Sequence, residues 1–178
     1  MTWLPFDLHP EIPAEGTTAE QLFGGRYTPE VRDRYRERLA RLADEAGLPF
    51  DPPEKIPSTR PSLEAGEFVR QTRPDAFPDF HRGLFLAYWG EGRDLGERET
   101  ILQVAEATGV PRDDVERALG EGAAKEAVDE STQTAVSIGV GGTPSWLIDG
   151  KVLVPGAQPR EVFGRLIDRI RGMEESAG

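Results

Sequence analysis

Chemistry in this chain must come from its nucleophiles, its titratable side chains or its metal ligands, and one class is missing outright. The 178 residues contain no cysteine, which excludes disulfides, thiolate metal sites and a thiol nucleophile among them. The only histidines are His9 and His81, too few for a zinc constellation without thiolates unless carboxylates join them. His81 falls in an aromatic-rich helical pattern and reads as a packed side chain. His9 follows an apolar alternation and could line a cleft, although an ordinary structural role fits it better. The run GVGGTP from Gly139 to Pro144 begins like a dinucleotide loop, but a helical pattern precedes it, a strand follows, and Pro144 stands where the third glycine belongs. Neither GxxxxGK[ST] nor GxSxG occurs, so a phosphate cradle and a nucleophile elbow have no anchor. Ser145 has no partner that the sequence names. No metal site and no cofactor is expected. Thr143-Pro144 remains: a proline held between glycines and an apolar hairpin, at a step where an X-Pro bond can be cis or trans.

The elements that must position it are read from periodicity. MTWLPFDL alternates Leu4, Phe6 and Leu8 against Trp3, Pro5 and Asp7, the pattern of a strand with one more apolar face. Pro5 cannot donate to a ladder, so that strand should have an unpaired side. From Thr28 the period becomes helical: Pro29 suits the first turn, Val31, Tyr35, Leu39, Leu42 and Ala46 recur at steps of three or four, and Gly47 stops the pattern. LPFDPPEKIPSTRP carries five prolines and reads as an irregular segment that packs as it crosses the surface.

Helical patterns then run through Phe68 and Val69, through Phe77 to Tyr88, through Ile101 to Gly109, through Val115 and Leu119, and from about Ala123 to Ser137. The spacing predicts no strand between residues 28 and 138. Asp149-Gly150, between SWLI and VLV, marks a hairpin turn whose two central residues need positive φ. Both flanks are apolar on both faces, as in a covered sheet. Pro159 opens a last helix with Val162, Phe163, Leu166, Ile167 and Ile170 on one face and Gly172 beyond its end.

Net charge narrows the partners. With 21 Lys plus Arg against 32 Asp plus Glu the chain carries −11 at pH 7, which opposes a nucleic-acid backbone or an anionic membrane surface. No basic run precedes an apolar stretch at the N-terminus and the apolar runs are short, so neither a leader nor a membrane span is expected. The chain reads as soluble and cytoplasmic.

GVGGTPSWLIDGKVLVPGAQP, WLPFDLHPEIPAEG and LFLAYWGEGRDLGERETILQVAEATGV together resemble the DsbA-like thioredoxin-fold family. The likeness is to its FrnE-like branch, which is related to 2-hydroxychromene-2-carboxylate isomerases and kappa-class glutathione transferases. The resemblance extends from Trp3 to Gly172. It implies an α/β, thioredoxin-like fold of the DsbA type with a large all-helical insertion. Residues 1–16 and 139–178 would form the thioredoxin-like sheet and C-terminal helix, and residues 17–138 the insertion.

The resemblance also implies a thiol-disulfide oxidoreductase in which Gly142, Thr143 and Pro144 bind substrate. Thr143 would offer its backbone to an extended peptide or a small thiol or disulfide, with a cis Pro144 facing a Cys-x-x-Cys pair. The family's first strand and Cys-x-x-Cys helix have no counterpart here, so the fold is expected to be incomplete at its N-terminus and this chain alone inactive. A missing central strand would leave buried backbone groups unpaired at roughly 1 to 3 kcal/mol each. Three resolutions compete: upstream sequence supplies the segment, a second copy or a partner chain completes the sheet, or the Trp3 strand moves beside the proline strand. A cysteine-free peptide- or partner-binding module and the remnant of a glutathione-dependent isomerase are the alternatives in function.

Overall fold

The structure, a computed structural model, describes residues 1–24 and 27–175. It divides into two compact units, one spanning Met1–Ser131 and the other beginning at Thr132. In the first unit β1 (Thr17–Thr18) is followed by α1 (Ala19–Phe23), α2 (Pro29–Glu45) and β2 (Lys55–Ile56). Then come α3 (Arg60–Thr72), α4 (Phe77–Phe85), a π-helical turn (Leu86–Gly90), α5 (Arg98–Ala107) and α6 (Arg112–Glu121). Helix α7 (Lys125–Ser137) crosses the unit boundary, and the second unit continues with β3 (Ser145–Ile148), β4 (Val152–Pro155) and α8 (Arg160–Glu175).

The core of the first unit is built by α3 to α6, where helical spacing and burial agree. Ala65 and Val69 on α3, Phe77, Phe80 and Leu84 on α4, Ile101, Leu102, Val104 and Ala105 on α5, and Val115 on α6 are all buried in one cluster. Each large side chain taken from water contributes about 2 kcal/mol, so this stripe-to-stripe packing outweighs the weak propensity terms of such short helices. Helices α4 and α5 approach so closely that a Cβ at Gly83 would lie 2.8 Å from Val104 Cγ1.

The proline-rich crossing packs as its apolar residues indicate. Phe50 stacks on Trp89 with ring centroids 6.0 Å apart, and the Asp51 N–H donates to the Trp89 carbonyl at 2.7 Å. The helix it rests on opens into the π turn after Phe85, so the Phe77–Tyr88 pattern is not one uninterrupted α-helix.

Four expectations need correction. Trp3–Leu8 is not a strand: a strand needs a ladder, and alternation alone cannot supply the partner. Leu4 is 67% exposed while Asp7 is buried, the reverse of the apolar-in pattern. The resolution that moved this strand beside the proline strand falls with it. A short ladder forms elsewhere instead, Thr17↔Ile56 and Thr18↔Lys55, and its second strand lies between residues 28 and 138, where no strand was expected. Helix α8 runs through Gly172 to Glu175 and does not end before it. Finally, α2 forms over the expected residues, but none of them is buried.

One cation organises the N-terminal segment. Arg60, at the start of α3, donates to Glu64 at 2.7 Å, to Asp129 on α7 at 2.6 Å and to the Lys125 carbonyl at 3.0 Å. The same guanidinium lies 3.6 Å from the buried carboxylate of Asp7, while Ser131 Oγ donates to the Pro5 carbonyl at 2.7 Å. The hydrogen bond from Arg60 holds the Asp129 carboxyl below its ordinary range. Arg60→Met keeps the stem but removes the cation from Asp7; thermal unfolding is expected to report a loss of about 2 kcal/mol, whereas Glu64→Gln, at the edge of the cluster, should cost less.

Glu67, buried on α3, gives the unit a pH dependence of known sign. Burial pushes its carboxyl up, but hydrogen bonds from Arg70 at 2.6 and 2.7 Å and from Gln71 at 2.6 Å more than reverse this, so it titrates below the usual 4.5. Arg112 acts likewise on the exposed Glu99, holding it down to about 2. A carboxylate whose folded value is depressed stabilises fully above its unfolded value, and that contribution is lost as pH falls through the folded one. Stability is therefore expected to fall as pH drops below about 4.5, and Glu67→Gln should lower stability at neutral pH while making the acid limb of a denaturation-versus-pH curve shallower.

Candidate functional site

The site is assembled from the end of α7, a glycine loop and the β3–β4 hairpin. The Gly139 N–H donates to the Val136 carbonyl and the Val140 N–H to the Ala135 carbonyl at 2.9 Å, closing the helix. Gly139 has φ +90, a conformation an L side chain rarely adopts, which frees the loop to turn into Gly141-Gly142-Thr143. The Thr143–Pro144 peptide bond is cis. Ser145 Oγ donates to the Gly142 carbonyl at 2.6 Å and the Gly156 N–H donates to the Pro144 carbonyl at 2.8 Å, fixing both sides of the proline.

The register then decides which backbone groups are open. β3 and β4 are antiparallel with Ser145↔Pro155, Trp146↔Val154, Leu147↔Leu153 and Ile148↔Val152. Since the Gly156 N–H bonds back to Pro144, alternation along the ladder turns the N–H and C=O of Ser145 and Leu147 away from β4. Thr143, exposed and just ahead of β3, has no hydrogen bond to its own N–H or C=O among the described residues. The outer edge of β3 thus offers an open line of donors and acceptors from Thr143 to Leu147. Pro155, on β4, has no donor to offer on the opposite edge.

The turn supports this edge. Asp149 and Gly150 have φ of +53 and +66, and the Lys151 N–H donates to the Ile148 carbonyl at 3.1 Å, as the Asp-Gly pair indicates. The ladder resumes at Val152, one residue later than a two-residue connection would give. The hairpin is not covered on both faces as the continuous apolar flanks suggest. Val154 is buried and Trp146 meets Phe163 of α8 with centroids 5.1 Å apart, but Leu147 on the other face is 51% exposed.

The other candidates lie in the first unit. His9 Nδ1 is 2.9 Å from Glu11 Oε1 at the surface. His81 sits among the rings of Trp3, Phe77 and Phe85 at 4.9, 5.3 and 4.9 Å, and burial lowers its pKa so that the neutral imidazole prevails at pH 7. No group of three or more His, Cys, Asp or Glu is placed to hold a metal among the described residues, and no helix among them is long and apolar enough to cross a membrane. Sequence reasoning left Ser145 without a role; its hydroxyl bond to Gly142, three residues back, is the short-range side-chain-to-backbone type that serine favours at turns.

Valine at position 150 would have to hold φ near +66 with a branched β-carbon, at a cost of about 2 kcal/mol. Gly150→Val is expected to lower the unfolding midpoint of the hairpin unit, whereas Gly150→Asn, whose side chain tolerates that region, should cost well under half as much.

Comparison with known proteins bears on the fold and the family. No curated protein matches the chain. Among solved structures, a probable DsbA oxidoreductase from Streptomyces coelicolor is similar, with a TM-score of 0.82 and 19% identity over 94% of this chain and 73% of that one. A 2-hydroxychromene-2-carboxylate isomerase is similar at a TM-score of 0.65 and 22% identity, over 94% and 82%. The sequence model of the DSBA-like thioredoxin domain matches residues 1–168. With its helix-rich body, its small sheets and a proline at the head of an open strand, the chain belongs to the DSBA-like thioredoxin domain family.

Proposed function

We propose that the chain serves thiol-disulfide exchange as the substrate-holding part of a DsbA-type fold. Gly142, Thr143 and Pro144 grip an extended peptide beside a reactive thiol pair that these 178 residues do not contain. The observation that carries this is the open backbone of Thr143 at the head of β3, with Ser145 and Leu147 repeating the same outward pattern at two-residue spacing. An extended peptide laid along that edge gains main-chain hydrogen bonds without a specific side-chain pocket, which suits a substrate defined by its disulfide and not by its sequence. A low-pKa thiolate would attack the disulfide and the mixed disulfide would rest against Pro144.

In the same proposal residues 1–16 and 139–178 make the thioredoxin-like part, residues 17–138 make the helical insertion, and the chain works in the cytoplasm. The lack of any cysteine supports a second reading, a peptide-binding module that keeps the edge without the redox step. The two differ in whether a dithiol partner is ever recruited.

Two measurements on the full chain test the proposal. In an insulin-reduction assay with dithiothreitol, the chain should add nothing to the rate of dithiothreitol alone; turnover by the chain itself would contradict the assignment. Anisotropy of a labelled extended peptide with its cysteine alkylated should report binding, and Thr143→Pro, which removes the donor, should weaken it about tenfold. Undiminished binding by that variant would place the peptide elsewhere.

A further inference from the structure

Helix α2 carries a stripe that should be core and is not. Tyr35, Leu39 and Leu42 are 55%, 42% and 51% exposed, and no residue of α2 is buried. The apolar surface extends past the helix, since Tyr27, 39% exposed, meets Tyr35 edge-on at 6.2 Å and Phe23 at 5.4 Å. A contiguous exposed patch of this kind on an otherwise charged helix marks an interaction surface.

The charges around the stripe say what it fits. Projected at about 100° per residue, Arg32 and Arg36 flank one side of the stripe while Arg34, Arg38 and Glu45 flank the other. The far side of the helix carries Glu30, Asp33, Glu37, Asp44 and Arg41. The helix is neutral in sum but segregated, with cations beside the apolar face and carboxylates behind it. None of Arg32, Arg34, Arg36 or Arg38 forms an ion pair among the described residues, nor do Arg41, Arg82 and Arg98, whereas Arg60, Arg70, Arg73, Arg93, Arg112 and Arg117 of the same unit each engage a carboxylate. Unpaired guanidinium groups beside exposed leucines are what a partner with acidic shoulders would complete.

We infer that α2 docks an amphipathic helix of a partner protein, one with leucine-like residues along one face and Asp or Glu on both flanks of that face. Pairing through the same stripe in a second copy would set mostly arginine shoulders against arginine shoulders, with Glu45 alone offering them a carboxylate. An extended anionic membrane would meet the field of a chain at −11, while a single helix touches only the cationic face within a Debye length of about 8 Å. The contact is independent of the Thr143 edge.

The probes are two synthetic amphipathic peptides with identical apolar positions, one flanked by Glu and one by Lys, titrated against the full chain by fluorescence anisotropy. The Glu peptide is expected to bind, with affinity falling as salt rises, and the Lys peptide to bind at least about tenfold more weakly. Leu39→Ser with Leu42→Ser should abolish binding, and Arg34→Glu with Arg38→Glu, which leaves Arg32 and Arg36 on the other flank, should largely remove the preference between peptides. All four substituted side chains lie on the surface of the helix, and circular dichroism checks that the fold is kept. Equal binding of the two peptides, or of neither, overturns the proposal. So does a dimer in sedimentation that Leu39→Ser disperses, or α2-dependent binding to phosphatidylserine vesicles.

Discussion

A single guanidinium holds the non-helical start of the chain in place. Arg60 reaches the buried Asp7, Glu64 one turn along its own helix, and Asp129 with the Lys125 carbonyl on α7. A segment without a ladder has no backbone pattern of its own to fix it, so a charge-assisted cluster takes that part. The cost is real, since a carboxylate as buried as Asp7 is tolerated only beside a cation. Asp7, α3 and the first turns of α7 are thereby tied through one side chain, with Pro5 held separately by Ser131, while the apolar core of α3 to α6 supplies the bulk of the stability.

In the proposed function, holding a substrate and reacting with it are separate tasks. Everything around Pro144 is backbone chemistry: a glycine loop, a hydroxyl bonded to Gly142, the Gly156 N–H on the Pro144 carbonyl, and an open strand edge. None of it needs a titratable side chain, and none is present in the Gly139–Pro144 run. An edge built this way suits an extended main chain, and under the proposed function the exchange step falls to sulfurs that this chain lacks. The histidines lie elsewhere: His9 is hydrogen-bonded to Glu11 at the surface and His81 is held neutral among aromatic rings.

Local rules were read correctly at the hairpin turn and along the core helices, although Gly172 does not stop α8. Asp149 and Gly150 adopt positive φ because few other residue pairs can do so at low cost, and Phe77, Phe80 and Leu84 are buried because helical spacing aligns them. The loop at Thr143-Pro144 stood out by its setting, glycines before a proline and an apolar hairpin after it, while the roles proposed for Gly142, Thr143 and Pro144 come from the family resemblance. What failed was non-local. Trp3 to Leu8 alternate like a strand, yet pairing depends on a neighbour the sequence does not name. The stripe of α2 has the same spacing as those of α3 and α4 but meets no opposing face, and the clue lay in its arginines, which stand where a core helix would carry small or apolar flanks. The hairpin's coverage failed in the same way, since two apolar faces were read as two covering layers and Leu147 remains half exposed.

The most direct test is to follow the backbone amides by heteronuclear NMR while an extended, alkylated peptide is added to the intact chain. Binding along the open edge predicts that the amide signals of Thr143, Ser145 and Leu147 shift together and gain protection from solvent exchange, while that of Gly156, already bonded to Pro144, changes little. Shifts confined to other parts of the chain, with Thr143 and its two strand neighbours unmoved, would contradict the account.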